Sequence, residues 1–201
     1  MKPFVQKLCI HSAATVLALS LSQSALAATF SFTGLGSVPA SSYSTTSDGI
    51  TVTVTTPTAG HSLKYFSTSG IDGIGASSGL LDPAAVQQGE SLTVSFSEEV
   101  TVGSITFNQW DGDRATLSST GGNLVLDGDS CPLLTFSCTS ETYDLSSLGG
   151  ITSFTVTGDN FISAFLLAGL GDVQAVPVPA AGWLFLSALL GLAGKKRLRA
   201  R

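Results

Sequence analysis

The segment Ile50-Thr51-Val52-Thr53-Val54-Thr55 alternates apolar and hydroxyl-bearing side chains without interruption. Because successive residues of a β-strand point to opposite faces, this pattern predicts a strand with one buried and one exposed face. The same alternation recurs at residues 92–97 and 154–157, and residues 29–33 show it in a shorter form. Residues 165–168 are apolar throughout, which favours a central strand. The chain is therefore predicted to be all-β.

Turn-forming residues separate these segments. Asp-Gly pairs lie at residues 48–49 and 72–73, and longer acidic turns lie at residues 111–113 and 127–129. Because no amphipathic helix of useful length interrupts the pattern, it predicts an antiparallel β-sandwich, most similar to a jelly roll, over residues 28–172.

One of the longer apolar segments changes face along its length. In a regular strand Val100 and Val102 would point to one face, whereas Ile105 and Phe107 would point to the other. A β-bulge at Gly103-Ser104 would bring all four apolar side chains to the core, and we predict one there.

Residues 1–27 show the three parts of a secretory signal peptide. A start with two lysines is followed by a largely apolar stretch at residues 8–21. Ala25 and Ala27 then supply the small side chains of a cleavage site, which predicts a cut before Ala28. An uncleaved membrane anchor is the alternative, and it is disfavoured because the apolar stretch is shorter than the ~20 residues of a membrane span.

Export would place the remaining cysteines in an oxidising compartment. Cys131 and Cys138 are the only cysteines after the predicted cleavage site, and a short segment separates them. We therefore predict a disulfide between them. A metal-binding pair is the alternative, but neither a second cysteine pair nor a nearby histidine completes a zinc site.

Charge is unevenly distributed along the chain. Between residues 28 and 172, Lys64 and Arg114 alone oppose all fourteen acidic residues of the sequence. So acidic a domain repels a phosphate backbone, which excludes nucleic acid as an expected partner. It would attract divalent cations or basic partners, although solubility alone is the alternative explanation.

The C-terminal residues 173–201 form three successive parts. The motif Val176-Pro177-Val178-Pro179-Ala180 comes first, and its prolines keep the backbone extended. Residues 180–194 are uncharged and largely apolar, and residues 195–201 carry five basic side chains. This order predicts a transmembrane helix with a cytoplasmic basic end. The helix would span roughly 22 Å, so local thinning of the bilayer must accommodate it.

The order of these segments, from signal peptide through β-rich body and proline motif to apolar helix and basic end, resembles that of PEP-CTERM sorted proteins. The motif at residues 176–180 is most similar to the variant that reads Val-Pro-Leu-Pro-Ala, with Val178 in place of the leucine. The resemblance implies recognition by an exosortase, a membrane peptidase or transpeptidase of Gram-negative bacteria. It also implies a host that makes exopolysaccharide, and a protein that its tail holds at the inner membrane before it reaches the cell surface or extracellular matrix.

Candidate catalytic groups are few. His61 is the only histidine after the predicted cleavage site, and we expect it in a surface loop before a strand. No Gly-x-Ser-x-Gly segment supplies a nucleophilic serine. Glu98 and Glu99 are adjacent, so they would face opposite sides of a strand and could not act as paired carboxylates. We therefore expect no enzymatic activity, with a small surface-displayed hydrolase as the alternative.

Aspartates in two turns are the candidate metal ligands. Asp111 and Asp113 flank one glycine, and Asp127 and Asp129 flank another. Calcium binds six to eight oxygen ligands, so clustered carboxylates of this kind make it the candidate cofactor. The alternative for each aspartate is a turn residue that hydrogen-bonds its own backbone.

Trp110 is the only tryptophan between the signal peptide and the tail, and it is the candidate for stacking on a sugar ring. Burial at the rim of the sandwich is the alternative. Together these features predict an exported, non-enzymatic surface or matrix protein that associates with exopolysaccharide or biofilm. A single-pass membrane-anchored protein without processing is the alternative to sorting.

Overall fold

A computed structural model describes residues 26–68, 71–78, 85–108, 114–128, 140–159 and 164–177. In these segments the body of the protein, Leu26–Val176, consists of β-strands, connecting turns and one short 3₁₀ helix, Ser146–Leu148. The strands are β1 (Ala28–Ser31), β2 (Ser42–Ser47), β3 (Ile50–Thr55), β4 (Ser62–Thr68), β5 (Ile71–Ser77), β6 (Ser91–Asn108), β7 (Arg114–Ser119), β8 (Gly122–Asp127), β9 (Glu141–Asp144), β10 (Ile151–Gly158) and β11 (Leu166–Ala175).

The long strand β6 joins the two halves of one curled sheet. One edge of β6 pairs first with β3 and then with β11, and the other edge pairs first with β10 and then with β9. β2 extends the first half beyond β3, and β7 and β8 extend it beyond β10. In the second half, β1 and β5 pair with the far edge of β11, and β4 pairs with β5. All these pairings are antiparallel, which confirms the predicted all-β antiparallel fold.

One hydrophobic cluster takes side chains from both halves of the sheet. The apolar residues of β3 are all buried and its threonines are half-buried, as the alternation predicts. The rings of Phe96 and Phe154 lie 6.1 Å apart in the first half, and those of Phe107 and Phe165 lie 5.1 Å apart, edge to face, in the second. Burial of each ring contributes about 1.5–3 kcal/mol to the free energy of unfolding. Because all four rings belong to the same cluster, the two halves share one core.

The predicted change of face along β6 occurs, and β11 shares it. All four apolar side chains predicted for the core are buried. Gly103 lies opposite Asp172 of β11, whose φ of 52° is in the left-handed region. The residue pairs on either side of this point keep one register, so the predicted bulge is a kink in both strands rather than an extra residue in β6. A Cβ atom at position 103 would lie 2.7 Å from the Cβ atom of Asp172, which explains the glycine.

The two predicted Asp-Gly turns have different outcomes. Asp48 and Gly49 join β2 to β3, and both have positive φ angles, 50° and 84°, as a tight two-residue hairpin requires. Asp72 and Gly73 lie inside β5 instead, so that turn prediction was wrong. The glycine is needed there because a Cβ atom would lie 2.7 Å from the carbonyl oxygen of Leu167 on the neighbouring strand.

The first and last strands bring the two ends of the body together. β1 begins at Ala28, directly after the predicted cleavage site, and β11 ends at Ala175. Ala28 pairs with Val173, so the ends lie side by side on adjacent strands. β11 continues beyond residue 172, the predicted end of the domain, because Val173 is buried and continues the pairing with β6.

The predicted signal peptide before residue 26 and the predicted tail beyond residue 177 lie outside the described residues. In the segments that are described, no helix has the length and apolar character needed to cross a membrane. The transmembrane helix at residues 180–194 therefore stays a prediction.

Gly103→Ala should lower the free energy of unfolding by about 1–3 kcal/mol, because the new Cβ atom must displace β6 from Asp172. Asp172→Gly removes the opposing Cβ atom, so Gly103→Ala should cost much less in that background. Urea unfolding of the four proteins measures this coupling. Equal costs in both backgrounds would show that the kink does not depend on the contact.

Candidate functional site

Few of the predicted site residues fall within the described chain. Asp127 is exposed at the end of β8, opposite Arg114 of β7. Among the described residues, no three His, Cys, Asp or Glu side chains lie close enough together to hold a metal ion. Ala27 and Ala28 at the predicted cleavage site and Val176 and Pro177 of the predicted motif are also described. The remaining predicted residues lie outside the described chain, namely Ala25, Trp110, Asp111, Asp113, Asp129, Cys131, Cys138, Val178, Pro179 and Ala180. The calcium site, the disulfide and the sugar-stacking tryptophan therefore stay predictions.

His61 directly precedes β4, as predicted, but it is part of an ion pair. Its Nε2 atom lies 2.9 Å from Oε1 of Glu90, and its Nδ1 atom lies 3.1 Å from the carbonyl oxygen of Ala59. Glu90 is only 6% exposed, and its Oε2 atom accepts a hydrogen bond of 2.8 Å from the backbone N–H of Gln87. This His61–Glu90 clamp links the loop before β4 to the loop before β6.

The geometry of the clamp disfavours catalysis by His61. A catalytic histidine of a hydrolase uses one ring nitrogen to take a proton from the nucleophile, while an orienting group holds the other. Both nitrogens of His61 already contact acceptors of the protein, so neither is left for a nucleophile. The clamp is therefore best explained as a structural contact that offsets the burial of Glu90.

The adjacent glutamates, predicted to face opposite sides of a strand, lie at an irregularity of β6. Glu98 and Glu99 lie where the register between β6 and β10 shifts, and both are exposed. The irregularity turns both carboxylates towards solvent. They add to the negative surface of the body.

A trench crosses the outer face of β11. Its floor is the backbone at Gly169 and Gly171, and its two walls are β1 and β6, which pair with opposite edges of β11. The trench is open to solvent and has a volume of about 340 Å³. Its walls carry polar but uncharged side chains, namely Thr29, Ser31 and Thr33 from β1 and the residues after it, and Ser104, Thr106 and Asn108 from β6.

Hydrogen bonds fix part of the trench wall. The hydroxyl groups of Ser31 and Thr33 lie 2.9 Å apart, and that of Thr106 lies 2.9 Å from the hydroxyl group of Thr142 on β9. Each of these pairs shares one proton, so a second hydroxyl proton of each pair stays available. The hydroxyl groups of Thr29 and Ser104 make no hydrogen bond within the described chain. The walls therefore present both donors and acceptors to solvent.

Asp72 holds one end of the trench in place. Its Oδ2 atom accepts hydrogen bonds from the backbone N–H of Gly34, at 2.7 Å, and from the hydroxyl group of Tyr65, at 2.8 Å. Its carbonyl oxygen accepts a hydrogen bond of 2.6 Å from Nδ2 of Asn108, the last residue of β6. Asp72 was predicted as a turn residue, but its oxygens hold the loop after β1 and the Asn108 side chain.

Asp144 lies on β9, which pairs with β6, and its partner in that pairing is Ser104 of the trench wall. The hydroxyl group of Ser146 and its backbone N–H, whose nitrogen lies 2.8 Å from Oδ1, donate to this carboxylate and hold the pKa of Asp144 below its ordinary value. Asp144 is therefore engaged by the 3₁₀ helix and does not line the trench.

Comparison with known proteins assigns no function to this arrangement. No protein-family model matches the chain, and no curated protein or solved structure matches it either. The function must therefore be inferred from the residues of the chain itself.

His61→Ala should lower the free energy of unfolding by about 1–3 kcal/mol, because it removes the 2.9 Å contact between Nε2 of His61 and Oε1 of the buried Glu90. In a Glu90→Gln background the same change should cost less. Denaturant unfolding of the four proteins gives the coupling. Lys64→Ala, which removes an exposed basic residue of β4, is the matched control and should change stability by less than about 0.5 kcal/mol. If His61→Ala destabilises the protein no more than Lys64→Ala does, the His61–Glu90 clamp does not contribute to stability.

Ser146→Ala should raise the pKa of Asp144 towards the ordinary aspartate value of about 3.9, because it removes the hydroxyl donor. Since the folded state lowers this pKa, the carboxylate contributes stability above the unfolded value and loses it as the pH falls through the folded pKa. NMR titration of the Asp144 carboxyl carbon measures both values. Identical titration curves for the two proteins would contradict the assignment.

Proposed function

We propose that this chain is an exported, non-enzymatic surface or extracellular-matrix protein, sorted by an exosortase through its C-terminal tail and associated with exopolysaccharide. The placement of the strands supports this proposal. In the described residues they run from Ala28, directly after the predicted cleavage site, to Ala175, directly before the predicted motif. A cut at either place would leave every described strand whole.

The pairing of β1 with β11 is consistent with removal of both segments. Ala28 is fully buried and pairs with Val173, so a cut immediately before it leaves the core complete. Glu99 accepts a backbone hydrogen bond of 2.9 Å from Val176, which holds the chain at the start of the motif. A body fixed at this point can stay folded while the following prolines are extended and accessible to a peptidase.

The surface supports a binding role more than a catalytic one. The ring nitrogens of His61 are occupied by protein groups, which weakens the alternative of a displayed hydrolase. The outer face of β11 instead offers an uncharged trench lined with hydroxyl groups.

We also propose that the curled sheet corresponds to a jelly-roll-like sandwich. The single hydrophobic cluster fed by both halves of the sheet supports it, because two layers packed on one core define such a fold. The shared strand β6 then crosses from one layer to the other.

Mass spectrometry of the protein from a Gram-negative host that carries an exosortase tests the sorting proposal. We expect a mature chain that starts at Ala28 and ends near residues 176–180. Pro177→Ala combined with Pro179→Ala should leave Arg201 in place, because the recognition motif is lost. Pro39→Ala, which changes an exposed proline of the body, is the control and should be processed normally. A wild-type chain that retains Arg201 at the membrane would favour the unprocessed anchor instead.

A further inference from the structure

We propose that the trench on the outer face of β11 binds an extended, uncharged oligosaccharide chain. This inference rests on the proposed function, because it names the ligand class through which the protein would contact a polysaccharide matrix. It is carried by four properties of the trench: its dimensions, its hydrogen-bonding groups, its lack of charge and its glycine floor.

The dimensions suit one extended chain. β1 and β6 each lie one strand spacing from β11, so the walls are about 10 Å apart between backbones. Along β6 the wall from Ser104 to Asn108 is roughly 13 Å long, because each residue of a strand advances about 3.3 Å. Both walls follow neighbouring strands of one sheet, which favours a ligand whose units continue in one direction.

The polar groups suit hydroxyl-rich ligands. A sugar hydroxyl group both donates and accepts hydrogen bonds, and so do the wall hydroxyls of Thr29, Ser104 and Thr106. Those of Thr29 and Ser104 are without a partner in the described chain, so they can bond a ligand without breaking an internal contact. Asn108 is held by Asp72 and supplies an amide at one end. Because each bond replaces one to water, binding should be weak, with a Kd on the order of 1 mM.

The charge distribution excludes ionic ligands. None of the residues that line the trench is charged, so it offers no ion pair to an anionic or a cationic group. The strongly acidic body would also repel a polyanion such as a uronic acid polymer. An uncharged ligand is therefore favoured.

The glycines keep the trench open. A Cβ atom at position 171 would lie 2.5 Å from Oγ of Ser104, and it would therefore displace this wall hydroxyl. At position 169 a Cβ atom would lie 3.0 Å from the carbonyl oxygen of Phe30. Side chains at these two positions would fill the space between the walls, and glycine leaves it to a ligand.

Titration of the full-length protein with cellohexaose tests the proposal. The protein is held in a phosphocholine detergent, since a sugar-based detergent would compete for the trench. We expect saturable shifts of the Gly169 and Gly171 amide signals in NMR spectra, with a Kd on the order of 1 mM. Thr106→Val combined with Ser104→Ala should raise this Kd about tenfold, because two hydrogen-bonding groups are lost.

Thr53→Val is the matched control. Thr53 also forms a cross-strand hydroxyl pair, 2.8 Å from Ser44, but it lies on the other half of the sheet. It should leave the Kd unchanged. The proposal is overturned if cellohexaose gives no shifts at ~10 mM, if the control variant weakens binding equally, or if a hexamer of galacturonate binds as tightly. These results are measured on the purified protein, whereas the sorting proposal is tested by the termini of the mature chain. Either proposal can therefore fail while the other holds.

Discussion

Pairing along both edges of β6 is the constraint on which the rest of the body depends. Four strands use its backbone groups, two on each edge, and no other strand in the described chain belongs to both halves of the sheet. The core makes the same connection, since Phe96 in the first half of the sheet and Phe107 in the second both belong to the one hydrophobic cluster. The two halves are therefore joined through the backbone and through apolar packing at once, and neither has a core of its own.

The trench follows from this arrangement. The kink at Gly103 and Asp172 keeps the apolar side chains of β6 and β11 on the core side over their whole paired length. Around the trench the opposite face then carries small or polar residues, Ser104, Thr106 and Asn108 from β6 and Gly169 and Gly171 from β11, because the apolar side chains of both strands are directed inwards. A polar surface with an open floor is thus the counterpart of a continuous core on the other side of the same strands.

The sequence predicts those parts of the structure that depend on neighbouring residues. β3 has the bounds that its alternation predicts, and the Asp48-Gly49 hairpin follows from residues that tolerate a positive φ. β5 has no such pattern, and its Gly73 is required by the close approach of β11, which no local rule reveals. The continuity of the sheet through β6 is likewise a long-range property.

The candidate site likewise depends on contacts that neighbouring residues do not predict. The partner of His61 was missed because Glu90 lies beyond two strands in sequence, and only the fold brings it near. The trench left a local signal, since glycines two residues apart within a strand mark a place where another group approaches closely. That signal at residues 169 and 171 is readable only once the neighbouring strands are known, because the wall hydroxyls come from distant segments of the chain.

The position of β11 has a consequence for how the protein is made. It is the last strand in the chain, yet it pairs with β6 on one edge and with β1 and β5 on the other. Because the chain is synthesised from its N-terminus, it cannot complete its core until synthesis has reached Ala175. Such late, long-range pairing is slow, so the polypeptide stays unfolded until its last strand has been made.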